Sequence, residues 1–93
     1  MSTRIHLKIS GRVQGVFFRQ SALEQAVTLG VHGWVRNRLD GSVELVGEGS
    51  RPLLEQLIAW CESGPDLARV ESVLVEWDEP IGLDGGFRVR TTV

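Results

Sequence analysis

Ninety-three residues with a net charge of −2 suit one compact domain spanning residues 1–93, and at that length folding buries roughly 60–65% of the surface of the extended chain. Hydrophobic residues at 42% and charged residues at 24% exclude disordered and fibrous classes, and the acidic balance argues against a general nucleic-acid or membrane-surface binder with a broad cationic face. Cys61 is the only cysteine, which excludes an intrachain disulfide framework; with no signal-peptide core before the first strand and no apolar run near the ~20 residues of a membrane span, a cytoplasmic protein is expected.

Ile5, Leu7 and Ile9 alternate with His6, Lys8 and Ser10, which predicts a strand over about residues 4–12 with one buried face. Ala22, Leu23, Ala26 and Val27 fall at helical spacing, so a helix is expected from about residue 18 to 29, with Gly30 suited to its end. Between them lies Gly11-Arg12-Val13-Gln14-Gly15-Val16-Phe17-Phe18-Arg19, which has the composition of an anion site. A helix start leaves about four backbone N–H groups without partners and carries roughly half a positive charge. Gly15 allows a close turn, and Arg19 can set a planar cationic fork against phosphoryl oxygens. Each charge-assisted contact of that kind contributes ~1.5–3 kcal/mol. The candidate phosphate-binding groups are therefore the backbone N–H groups of Gln14, Gly15, Val16, Phe17, Phe18 and Arg19, together with the Arg19 guanidinium. Arg12, Arg36 and Arg38 also fall in or near the glycine-marked segments, so one local cationic pocket is compatible with the acidic whole.

Residues 31–38 and 42–48 read as two strands joined through Asp40-Gly41, a hairpin signal. Ser50 is expected to cap the next helix, with Pro52 in its first turn and Leu53, Leu54, Leu57, Ile58 and Cys61 as its stripe, ending near Gly64-Pro65. Val73, Val75 and Trp77 share one parity in a strand over about residues 69–78, and Val70 breaks it, as a bulge would. A short last strand carries Phe87, Val89, Thr91 and Val93 in alternation with Arg88 and Arg90.

This order predicts an α+β, ferredoxin-like βαββαβ two-layer sandwich. The sheet is mostly antiparallel with an extra C-terminal strand, and two helices cover one face. Strands one and two must run parallel through a right-handed crossover, with strand three between them. Their C-terminal ends then share one rim, which brings Arg19 and Asn37 to about two strand spacings, ~10 Å. Asn37 shares parity with Val31, Gly33 and Val35, so its amide should point toward the anion loop.

Other sites are absent or structural. No P-loop or dinucleotide fingerprint is complete, and His6, His32 and Cys61 lack metal-ligand spacing, so no metal is expected. Cys61, Trp60 and Trp77 follow packing stripes, Trp34 stays open between packing and stacking, and Glu44, Glu48 and His6 read as a solvated sheet face.

The Gly11–Arg19 loop and Gly33-Trp34-Val35-Arg36-Asn37, followed by Gly41, Val43 and Gly49, together closely resemble the two signatures of the acylphosphatase family. The resemblance implies a cofactor-free, metal-independent hydrolase that splits the carboxyl-phosphate bond of acyl phosphates into carboxylate and inorganic phosphate, through a loop arginine (Arg19) and a strand asparagine (Asn37). An amide cannot remove a proton at neutral pH, but it can accept from a water and orient it; water positioning is the role expected of Asn37. The expected partners are a small acyl phosphate and inorganic phosphate, with no nucleic acid and no membrane, for a monomer. The alternative is a non-catalytic phosphate- or carbamoyl-phosphate-binding module like the domain fused in hydrogenase-maturation proteins. An RNA-binding sheet is disfavoured, because the strands do not read as a basic-aromatic face.

Overall fold

The alternation at Ile5, Leu7 and Ile9 is realised in β1 (Thr3–Arg12), where all three side chains are fully buried. The computed structural model describes residues 1–93 and continues with α1 (Phe18–Leu29), β2 (His32–Asn37), β3 (Val43–Gly49), α2 (Arg51–Ser63), β4 (Arg69–Asp78) and β5 (Phe87–Val89). The sheet order is β4-β1-β3-β2-β5. β1 pairs antiparallel with β3 and β4, β2 pairs antiparallel with β3, and β5 adds parallel to β2. The expected ferredoxin-like arrangement is therefore the observed one, with β3 between the parallel strands β1 and β2.

One face of the sheet and both helices share a single core: Leu7, Leu45 and Val35 from neighbouring strands meet Ala22 and Ala26 of α1 and Leu54, Leu57 and Cys61 of α2. Burying a leucine or isoleucine side chain contributes about 1.5–3 kcal/mol, so these stripes fix which face each helix turns inward. Phe18, the first residue of α1, packs on Trp60 of α2 at a 5.3 Å ring separation. Cys61 is fully buried, and burial pushes its thiol up to about 12, as befits packing rather than nucleophilic chemistry.

Local details depart from the sequence reading in instructive ways. Ser50 precedes α2 but its side chain makes no cap; the turn is closed instead by its carbonyl, which accepts from Leu54 N–H at 3.1 Å. The parity break at Val70 is a bulge: Ser10 pairs with Ser72 and Gly11 with Val70, leaving Glu71 as the extra residue. β5 stops at Val89 and so is shorter than the alternation to Val93 suggested. Gly33 has φ +150, and a Cβ there would run into the Val46 carbonyl of β3, so this glycine holds β2 and β3 at close approach rather than serving a ligand.

The face of the sheet away from the helices is not the solvated surface expected. Glu44 accepts from Arg36 Nε at 2.7 Å and Arg38 Nη1 at 3.1 Å, and lies 2.6 Å from His6 Nε2. Burial raises the Glu44 carboxyl, but the hydrogen bonds from His6, Arg36 and Arg38 outweigh it and hold the group at about 2. Glu48 is only 4% exposed. It accepts backbone N–H groups of Ile81 at 2.8 Å, Gly82 at 3.0 Å and Leu83 at 2.9 Å, with Arg4 at 3.5 Å. Burial works against its charge too, yet those backbone donors and Arg4 keep its carboxyl below the ordinary glutamate range. Glu48 thus ties the loop before β5 to the sheet, and His32 Nδ1 receives Gly86 N–H at 3.0 Å at the loop's far end.

Candidate active site

The loop after β1 turns through two left-handed residues, Gly15 at φ 74 and Phe17 at φ 64. Gly15 takes that conformation without strain and has open space where a Cβ would lie. Phe17 is the only non-glycine residue with positive φ, which for a bulky side chain costs about 1–2 kcal/mol. It sits at the N-cap of α1, and no side chain caps that end. The first turn of the helix contains no acidic residue either, so no fixed carboxylate competes for its free N–H groups or its positive dipole end.

These features open onto a cavity of about 400 Å³ lined by Val13, Gly15, Phe17, Phe18, Arg19, Gln20, Asn37 and Val89. Arg19, from the first turn of α1, and Asn37, from the last residue of β2, lie on the same wall system as the sequence reading required. Arg19 takes part in none of the molecule's ion pairs. Asn37 Oδ1 is buried and has no hydrogen-bond partner. A buried amide oxygen without a donor is uncommon, because leaving it so costs about 1–3 kcal/mol; Asn37 thus brings to the cavity lining an acceptor whose capacity is not spent within the protein.

Two of the six loop residues do not line the cavity. Val16 is 2% exposed and anchors the loop in the core. The side chain of Gln14 turns to the hairpin between β2 and β3, where its Nε2 donates to the carbonyls of Arg38 at 2.7 Å and Ser42 at 2.8 Å. That pair of bonds fixes the anion loop to the hairpin that carries Asn37, a bracing role that spacing along the chain does not reveal. The arginines also divide: Arg36 and Arg38 are engaged by Glu44 on the opposite face, and Arg12 is not part of the lining. The local cationic pocket expected from four arginines contains one.

Gln20 and Val89 line the cavity without having been singled out from sequence. Val89 pairs with Val35 across the parallel ladder of β5 and β2. Only the sheet order makes it a neighbour of the loop after β1, so its alternation along β5 carried no sign of the site.

Comparisons with known proteins point to one family. The family model described as Acylphosphatase matches residues 5–89. An acylphosphatase of Thermococcus kodakarensis is 58% identical over 82 residues, covering 88% of this chain and 90% of that protein. The solved structure of an acylphosphatase from Coxiella burnetii superposes with a TM-score of 0.84 at 44% identity, covering 96% of this chain and 93% of that one. Full-length HypF, solved in a phosphate- and nucleotide-bound form, contains the same fold with a TM-score of 0.90 at 22% identity, this chain spanning 12% of it. At that identity the likeness speaks to fold alone and gives no support to a non-catalytic binding module.

Proposed function

The chain belongs to the acylphosphatase family, and on that premise we propose that it hydrolyses acyl phosphates by gripping the phosphoryl group in the residue 14–19 loop and aiming a water at it with Asn37. One observation carries this reading: Arg19, whose guanidinium joins no ion pair, and Asn37, whose buried Oδ1 has no partner, both belong to the lining of one cavity.

The chemistry asks little of the protein beyond position and charge. An acyl phosphate is a mixed anhydride, and its carboxylate leaves at low pKa, so no acid is needed to protonate it. Negative charge on the phosphoryl oxygens is met by the loop N–H groups, the α1 N-terminus and Arg19. A water donates one O–H to Asn37 Oδ1, which leaves a lone pair of that water free to attack phosphorus. The new P–O bond forms from water, and the anhydride P–O bond breaks with its electron pair on the carboxylate. The water's protons pass to product phosphate and solvent. No covalent enzyme intermediate, metal or organic cofactor enters this scheme.

The enzyme acts on small acyl phosphates as a cytoplasmic monomer of one domain, without nucleic acid. Its net charge of −2 and its buried free Cys61 support that placement, and no helix is long and apolar enough to cross a membrane. Purified protein, with chelator present, should release phosphate from benzoyl phosphate and leave a phosphate monoester such as p-nitrophenyl phosphate intact. Preference for the monoester, or loss of activity to the chelator, would overturn the reading.

A further inference from the structure

We propose that Phe17 and Val89 form an apolar lip that holds the acyl group, so that this enzyme favours acyl phosphates with aromatic or extended hydrocarbon acyl groups over acetyl phosphate; the inference rests on the hydrolase reading above. The cavity, at about 400 Å³, is much larger than a phosphoryl group needs and is of the size that takes a small organic ligand. Its lining is half hydrophobic, and the four apolar residues divide by exposure. Val13 and Phe18 are 1% and 2% exposed and belong to the core. Phe17 and Val89 are 73% and 41% exposed and stand at the solvent side of the same cavity.

Phe17 is the telling residue. The chain holds an aromatic ring largely in water, on the only left-handed non-glycine backbone in the molecule. Neither choice helps the fold, since a glycine or asparagine would adopt that backbone more easily and a polar side chain would be better solvated. Leu39 and Ile81 are as exposed, but Phe17 alone joins exposure to a left-handed backbone at a cavity, and it is that combination which supports a ligand contact. Val89 reaches the same mouth from the other end of the chain, on β5. Two apolar side chains brought together from separate elements, beside Arg19 and Asn37, give a substrate its second foothold: anion on the loop, hydrocarbon on the lip.

The test compares kcat/KM for benzoyl phosphate and acetyl phosphate in the wild type, Phe17→Ala and Val89→Ala. Taking the ratio of the two substrates within each protein, and comparing it with the wild-type ratio, cancels the intrinsic difference between the leaving groups. The benzoyl-to-acetyl ratio should fall about tenfold in Phe17→Ala and about threefold in Val89→Ala, mainly through a higher KM for benzoyl phosphate. Inhibition by inorganic phosphate reports whether the loop keeps its shape; if Phe17→Ala weakens it, Val89→Ala, which lies outside the loop, decides the matter. An active wild type whose ratio is unmoved by either change overturns the lip alone. A wild type that hydrolyses neither substrate overturns the hydrolase reading, and the lip with it.

Discussion

Arg36 and Asn37 are consecutive residues of β2, and the pleat sends them to opposite faces of the sheet. Arg36 joins Arg38 and His6 around Glu44, where every charged group has a partner within 3.1 Å. Asn37 lines the cavity with Arg19, where an amide oxygen and a guanidinium have none. Both sides carry arginine, but only the first supplies a carboxylate to engage it. What separates the structural cluster from the candidate site is whether hydrogen-bonding capacity is spent within the protein or left over. Satisfied groups rigidify the sheet; unsatisfied ones cost stability and are kept where a ligand will complete them.

That contrast can be broken first at Arg19. Arg19→Ala should lower kcat/KM for benzoyl phosphate at least ~10²–10³-fold, with far-UV circular dichroism and thermal midpoint close to wild type, because Arg19 supports no ion pair. Near-normal turnover by the folded variant would remove Arg19 from the chemistry. Asn37→Ala sharpens the division of labour within the cavity. Its kcat should fall roughly 10–10²-fold while inorganic phosphate inhibits as before, since only the water loses its guide. A matching loss of phosphate affinity would make Asn37 an anchor instead.

The smallest effect lies on the satisfied side. Glu48→Gln keeps the shape but removes the charge that receives Ile81, Gly82 and Leu83, and should cost about 1–3 kcal/mol in denaturant unfolding at pH 7. The pH dependence has a definite sign. Glu44 and Glu48 bind protons less readily folded than unfolded, from an ordinary value of 4.5 to about 2 for Glu44 and in the same direction for Glu48. The contribution of Glu44 is complete above pH 4.5 and is lost as pH falls toward about 2, because the unfolded chain takes up protons first, and that of Glu48 is lost in the same direction as pH falls below 4.5. The fall in thermal midpoint as pH drops below 4.5 should be shallower in Glu48→Gln than in wild type; equal slopes would show that the loop does not depend on the carboxylate.

Much of the site was legible in the sequence because its parts are local. Gly11 to Arg19 spells a strand end, a turn and a helix start in nine residues, and the parity of Val31, Gly33, Val35 and Asn37 tells which way the amide points. What escaped was non-local. Val89 enters the cavity only because β5 lies beside β2, and Gln14 braces the loop through carbonyls 24 and 28 residues away. Glu48 misled for the same reason: alternation put it on the sheet's open face, but a loop 33–35 residues later folds over it. The arginines misled through partners as well. Adjacency to the glycine-marked segments grouped Arg36 and Arg38 with Arg19, and the carboxylate of Glu44 across the ladder withdrew them.

The position of β1 within the sheet has a kinetic consequence. As the first strand of the chain it occupies an interior lane, with Ile5 opposite Gly47 on one side and Trp77 on the other. It therefore has to wait for segments roughly 40 and 70 residues downstream, and closing such long loops before any ladder forms makes the barrier largely entropic. Refolding on the millisecond-to-second scale is what this topology favours, with the return of β4 to β1, the longest excursion, as the step that commits the chain.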